Sequence, residues 1–279
     1  MEPERWVNAF TRHFQDQSHK VGLFDINYRK TQALAKKYGC IGFDSISYAV
    51  SKAELCLLCT PIKATPQIIL DVAPQLREDT ILCEIASLKQ KTVAALKKLT
   101  HVRPLSIHPM FGPDIETIEG KTLVVVPVLD REVETAAARS MFPGAQIVVA
   151  EADLHDSCMA SVLSLPYFMN LAFARSLSPE TFSLMKEMAG TTFTVQLAVT
   201  QSIVGESPEL IESLINENSF SWEIVNQFID ESKHLRRLMK NSPQEVGDLI
   251  RRLRDSMDED SGLQSARRLR NGVYSSLKK

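Results

Sequence analysis

The chain has 279 residues, 44% apolar and 24% charged, with a formal net charge of −2 and a mean hydropathy of −0.09. This is enough apolar material for a sizeable core and too much for disorder, and at roughly 100–200 residues per domain it points to two domains. The balance excludes a dedicated nucleic-acid or anionic-membrane binder, and the one basic concentration, Arg251 to Arg254 with Arg267 to Arg270 and Lys278–Lys279, interleaves with Asp255, Asp258, Glu259 and Asp260 and reads as a solvated helical face.

From the N-terminus, a helical pattern over Glu4–Phe14 leads to a strand at Lys20–Phe24, closed by Asp25, and a helix over Tyr28–Tyr38. Strands follow at Leu55–Cys59, Ile81–Ile85, Pro104–Ile107, Leu123–Val126 and Gln146–Val149, with helices at Thr65–Leu76, Lys91–Leu99 and Arg131–Met141 between them. Such alternation marks a parallel α/β sheet, and the continuous apolar runs suit strands covered on both faces. After Asp153 only helical patterns remain: 153–176, 179–189, 191–204, 208–240, 243–256 and 258–275. Pro166 should kink the first, and Pro208 and Pro243, each after a serine, start two others.

The expected fold is therefore α/β: a Rossmann-like parallel-sheet domain over 1–150 and an all-α domain over 151–279, whose apolar stripe predicts a homodimer. Cys56 and Cys59 would point to opposite faces of one strand, so the five cysteines read as buried free thiols of a reducing compartment, and no metal site is expected. No secretory apolar segment opens the chain. The apolar stretch Leu154–Leu177 carries His155, Asp156, Asn170 and Arg175, which argues against a membrane span. A soluble, cytoplasmic protein is expected.

In a doubly wound sheet, ligands bind beyond the carboxyl ends of the strands. Asp25 stands at such an end and suits either the ribose hydroxyls of a dinucleotide or the cap of the Tyr28 helix. Thr60-Pro61 either lines the dinucleotide groove or simply ends its strand. Ser87 and His108 follow two neighbouring strands, so a hydroxyl and an imidazole should meet, the first fixing the tautomer of the second and leaving a proton acceptor. A strand-end histidine is often structural, but the rigid run His108-Pro-Met-Phe-Gly-Pro-Asp114 should aim the ring outward.

Ser106-Ile-His-Pro-Met-Phe-Gly-Pro-Asp114 resembles the central motif of prephenate dehydrogenases, in the form seen beside chorismate mutase in bifunctional enzymes, although no chorismate mutase domain is read here. Ile85-Ala-Ser-Leu-Lys89 and Leu154-His-Asp-Ser-Cys-Met-Ala160 resemble that family's serine motif and the start of its helical domain, in the same order and spacing. The resemblance implies an NAD-dependent oxidative decarboxylation of prephenate or arogenate in tyrosine biosynthesis, with NAD in preference to NADP. His108 would take the ring-hydroxyl proton and Ser87 would orient it and touch substrate. His155 and Asp156 would hold the interdomain helix.

The sequence departs from that pattern in two places. The first strand and its glycine turn, which bring the pyrophosphate to a helix N-terminus, are missing ahead of Met1-Glu-Pro-Glu. That leaves open a longer chain or a relative without ordinary NAD binding. The family's carboxylate-reading arginine aligns with Phe220, and its helical-domain histidines are replaced in Leu163-Ser-Leu-Pro-Tyr167. Tyr167 is the remaining substrate-side donor, with Arg175, Lys186 or Lys233 as sources of charge. Two alternatives stand beside the leading reading: a non-catalytic ligand-binding or regulatory relative, and a dehydrogenase of the same superfamily acting on another acid.

Overall fold

Apolar runs bounded by turns become strands, and their order decides which loops share an end of the sheet. The computed structural model describes residues 3–258 and 262–277. Its strands are β1 (Gly22–Leu23), β2 (Ile41–Gly42), β3 (Leu55–Leu58), β4 (Ile81–Glu84), β5 (Arg103–Pro109), β6 (Thr122–Val125) and β7 (Gln146–Val149). Between them lie α1 (Pro3–Asp16), α2 (Tyr28–Tyr38), α3 (Ile46–Ser51), α4 (Thr65–Val72), α5 (Gln90–Leu96) and α6 (Arg131–Met141). β2 and α3 are too short to stand out in the sequence.

β3-β4-β5-β6-β7 form one five-stranded sheet, and β1-β2 form a separate pair. β3, β4 and β5 are parallel, with Leu58 opposite Glu84 and Glu84 opposite Ser106. β6 is antiparallel to β5, with His108 opposite Val124, and parallel to β7. The sheet is thus not parallel throughout. No helix lies between β5 and β6, and without a crossover the chain returns in the opposite direction.

A doubly wound dinucleotide fold has the order 3-2-1-4-5-6. β2-β1 and β3-β4-β5 correspond to the two flanks of that order, and its central strand is not among the described residues. β3 accordingly keeps Leu55, Cys56 and Leu57 half-buried, whereas Leu82, Cys83 and Glu84 of β4 are buried.

Two apolar clusters cover the sheet. Trp6, Phe10 and Phe14 recur every fourth residue, so they share one face of α1, and that face packs with Ile85, Leu105, Ile107, Leu123 and Phe142. Phe10 and Phe142 meet edge-on at 5.7 Å. Ile69, Val72, Val93 and Leu96 of α4 and α5 pack with Leu58, Leu82, Val124 and Val126 in the other cluster.

The chain divides into two compact units, residues 1–159 with 207–219, and 160–206 with 220–279. The first ends with α7 (Ala152–Met159) and includes α11 (Pro208–Asn216); the second holds α8 (Leu165–Ser176), α9 (Phe182–Glu187), α10 (Thr191–Val204), α12 (Ser221–Asn241), α13 (Pro243–Met257) and α14 (Gly262–Leu277). A π-helical turn at Ala160–Ser164 joins α7 to α8. It falls just before Pro166, whose missing N–H and ring disrupt the preceding turn. The single helix expected over 208–240 is instead α11 and α12; of the helix expected over 258–275, residues 259–261 lie outside the described residues and α14 is described from Gly262. All five cysteines are free and Cys158 is exposed, against the expected burial. Burial pushes the Cys56 and Cys59 thiols up to about 12.

Phe10→Ala should lower the free energy of unfolding by about 3–5 kcal/mol, the usual cost of emptying an aromatic site in a core. Urea unfolding measures it, and a loss below about 1 kcal/mol would contradict the packing described.

Candidate active site

The parallel pairing of β4 and β5 puts their carboxyl ends side by side. His108 lies two residues beyond Ser106, and Ser87 three beyond Glu84, its partner in register. Beneath them is a buried ionic knot. Lys89 Nζ donates to Glu84 Oε1 at 2.8 Å and to the Ile107 carbonyl at 2.6 Å. Ser106 Oγ donates to the same Glu84 oxygen, and the Ala86 amide donates to Glu84 Oε2 at 2.7 Å. Both Glu84 and Lys89 are fully buried. Buried charges persist when they are paired and hydrogen-bonded, and this pair curls the loop from Ile85 to Lys89 back over the strand ends.

A second buried anion holds the same loop from the other side. Asp156 on α7 accepts the Lys89 amide at 2.8 and 3.1 Å and the Gln90 amide at 2.9 Å. These are orphan donors at the start of α5, where a negative charge is favoured. Asp156 Oδ1 also lies 2.7 Å from His155 Nδ1, and His155 Nε2 lies 3.0 Å from His108 Nδ1. His108 is 4% exposed and Asp156 1%. Burial drives the His108 pKa well below the usual 6.5, helped by the adjacent His155 and Lys89. Burial also lowers His155, against the opposing hydrogen bond from Asp156. Both rings are therefore neutral near pH 7.

These distances correct three expectations. The partner of His108 is His155; Ser87 makes no hydrogen bond to it among the described residues. His108 sits within β5, against His155, so the following loop does not aim the ring outward. His155 and Asp156 do more than anchor a helix, although the Asp156 carbonyl also accepts from Asn218 Nδ2 at 2.8 Å. A His-Asp pair on an apolar helix was the signal for them. Ser87 is buried too. Among the described residues the sealed side-chain polar atoms without a partner are Asn8 Oδ1 and Thr135 Oγ1. Ser87 Oγ and His108 Nε2 take no hydrogen-bond partner among the described residues.

The dinucleotide candidates carry local work. Asp25 Oδ1 accepts the Asn27 amide at 2.7 Å, and Asn27 rather than Asp25 caps α2. Asp25 Oδ2 takes no partner among the described residues. Thr60 Oγ1 bonds Thr65 Oγ1 at 2.8 Å, and the Pro61 carbonyl accepts the Thr65 amide and hydroxyl, closing the turn into α4. Asp25 thus stands after β1 and Thr60-Pro61 after β3, on the two flanks of the strand order. A pyrophosphate cradle is not among the described residues, and the first turn of α1 bears Glu4, within 3.5 Å of Lys30.

In the helical unit Tyr167 is half-buried, and burial, then the charge of Glu206, raises its hydroxyl pKa. Phe220 stands at the N-cap of α12. Arg175 is exposed, Lys186 lies over the Phe182 ring at 5.3 Å and Lys233 pairs with Asp230 at 2.9 Å. The run Ala152–Ser176 is long and apolar enough to cross a membrane by length and composition, yet its first turns carry the buried His155 and Asp156.

Sequence comparison accounts for this arrangement. The nucleotide-binding domain of prephenate dehydrogenase matches residues 10–125, and its dimerization domain matches 151–255. The chain belongs to the prephenate dehydrogenase family. It is 23% identical over 247 residues to a probable arogenate/prephenate dehydrogenase of Methanocaldococcus jannaschii, covering 85% of this chain and 55% of that protein. It is 25% identical over 252 residues to the T-protein of Haemophilus influenzae, covering 88% and 63%. The chain thus spans somewhat more than half the length of these relatives. Its fold is shared with the prephenate dehydrogenase of Aquifex aeolicus solved with hydroxyphenyl propionate and NAD+, at a TM-score of 0.75, 18% identity and coverage of 89% and 92%. The Synechocystis arogenate dehydrogenase aligns at a TM-score of 0.68 and 17% identity, over 91% of this chain and 96% of that one.

Two predictions follow from the buried groups. Lys89→Met should cost about 3–5 kcal/mol of stability by stranding Glu84, and Lys89→Met with Glu84→Gln should recover much of it; equal losses in urea unfolding would contradict the pairing. As pH falls below 6.5, the unfolded chain takes up protons that the buried rings of His108 and His155 refuse, so stability should fall, by up to about 1.4 kcal/mol per pH unit for each ring. Above pH 6.5 that contribution is fully present. Replacing both rings by glutamine should flatten the slope between about pH 5 and 6.5, and a slope unchanged by the double replacement would remove these rings as its cause.

Proposed function

We propose that this protein is a dehydrogenase that carries out the NAD-dependent oxidative decarboxylation of prephenate or arogenate in tyrosine biosynthesis. The observation that carries the reading is His108: neutral, held on one nitrogen by His155, without a partner on the other among the described residues, and set in the run that resembles the family's central motif. A neutral imidazole of this kind is a general base. His108 takes the proton of the substrate's ring hydroxyl, and the Ser87 hydroxyl orients that group. A bound nicotinamide would supply the acceptor for the hydride on the carbon that bears this hydroxyl, and loss of carbon dioxide would then make the ring aromatic. Tyr167 supplies a further hydrogen-bond donor to the substrate.

Asp25, with one carboxylate oxygen unpartnered, favours NAD over NADP, since it accepts from ribose hydroxyls and repels a 2′-phosphate. Thr60 and Pro61 line the other side of the dinucleotide groove. The helical unit forms a homodimer: Val162, Leu184, Met188, Val199 and Trp222 are exposed on the single chain, and the matched domain is a dimerization domain. The protein acts in the cytoplasm. Phe220 leaves the substrate carboxylate to another cation. A second reading is a non-catalytic, ligand-binding relative of the same family.

With prephenate or arogenate and NAD, followed by the absorbance of the reduced cofactor, His108→Ala should lose on the order of 10²–10⁴ in turnover. Unchanged turnover would remove His108 from the chemistry. No turnover of either substrate, together with no thermal stabilisation by NAD, would favour the second reading.

A further inference from the structure

The hydrogen bonds through Asp156, His155 and His108 have a direction imposed from one end. A carboxylate only accepts, so the 2.7 Å contact puts the proton of His155 on Nδ1. Neutral His155 then has a bare Nε2, and the 3.0 Å contact is filled by the Nδ1–H of His108. His108 is left with its lone pair on Nε2, the nitrogen without a partner among the described residues.

We infer that Asp156 and His155 are positioning residues for His108, holding it in the tautomer and orientation that present Nε2 as the base. The inference rests on the proposed reading of His108 as the proton acceptor. When Nε2 takes the hydroxyl proton, an O–H bond breaks, an N–H bond forms, and positive charge arises on a buried ring. The charged and titratable groups around it are His155 and Asp156 from α7, Lys89 from the loop before α5 and Glu84 from β4. Lys89 and Glu84 neutralise each other at 2.8 Å. Asp156 has no cationic side chain of its own, so its charge, conveyed through His155, is what stabilises the imidazolium. A purely structural role needs none of this: the two amides of α5 already satisfy Asp156, and an apolar pair in place of the two imidazoles would pack without a desolvation cost.

Three variants test it, each checked for folding by thermal melt. An asparagine can turn its amide N–H₂ toward His155, which reverses both tautomers and protonates His108 Nε2. The same exchange in a Ser-His-Asp triad costs about 10⁴ in kcat, so Asp156→Asn should lose about 10²-fold or more in kcat with KM within about threefold. Its residual activity should show the acid limb of the pH profile moved to lower pH, because the imidazolium has lost its counter-charge. His155→Gln keeps an acceptor for His108 Nδ1 and should stay at least about tenfold more active than His155→Phe, which keeps none. A limb that does not move, with glutamine and phenylalanine equally active, would overturn the assignment.

Nitrogen-15 NMR of the histidine rings in the unmodified protein near pH 7.5 needs no turnover. Protonated Nδ1 and bare Nε2 on both His108 and His155 are expected. A proton on His108 Nε2 would overturn the relay even if the enzyme is active. The expected tautomers in a protein that turns over neither substrate would instead sink the proposed function and leave the relay in place.

Discussion

Asp156 is almost wholly buried and pairs with no lysine or arginine side chain among the described residues; backbone amides and one imidazole surround it. A buried carboxylate tolerates few alternatives, because any displaced donor leaves charge stranded in a poor dielectric. Three things are consequently referred to one atom group: where α5 starts, where the loop bearing Ser87 ends, and which nitrogen of His108 is free. Glu84 and Lys89 do the complementary task from below, tying β4, β5 and that same loop together. The loop is clamped between two anions, one paired with lysine and one with amides.

This clamping has a consequence for chemistry. A general base has to be neutral and correctly turned before substrate arrives, since reorganising a buried ring during the reaction adds to the barrier. Burial keeps His108 uncharged, and in the proposed relay the line to Asp156 keeps it turned. Neither effect would suffice alone: burial without the line leaves the tautomer open, and the line without burial leaves a ring that titrates near pH 6.5.

Much of this could be read in the residues. The strand at Gln146–Val149 and the helices at Tyr28–Tyr38, Arg131–Met141 and Thr191–Val204 follow from periodicity and capping, and the strand-end rule selected Ser87 and His108. The partner of His108 was not legible, because His155 lies 47 residues away on a helix whose docking no local pattern encodes. The antiparallel turn of β6 depends on what is missing between two strands, and the break between α11 and α12 falls at the polar run Asn216-Glu217-Asn218-Ser219, a local signal that the reading of one continuous helix passed over. Lys89 stood in the sequence only as the last residue of the Ile85–Lys89 run; its burial follows from its bonds to Glu84 and to the Ile107 carbonyl, partners that no local pattern encodes.

β1 and β2 pair apart from β3, whereas β4, β5 and the Ser87 loop are tied together through Glu84, Lys89 and Asp156. Asp156 anchors the Ser87 loop and the histidine line together. The most direct measurement is amide hydrogen exchange in the unmodified protein and in Asp156→Ala. The Lys89 and Gln90 amides should exchange about tenfold faster or more in the variant, as expected for local opening, while the Ala86 amide, held by Glu84, keeps its protection. Equal protection of Lys89 and Gln90 in both proteins would contradict the account.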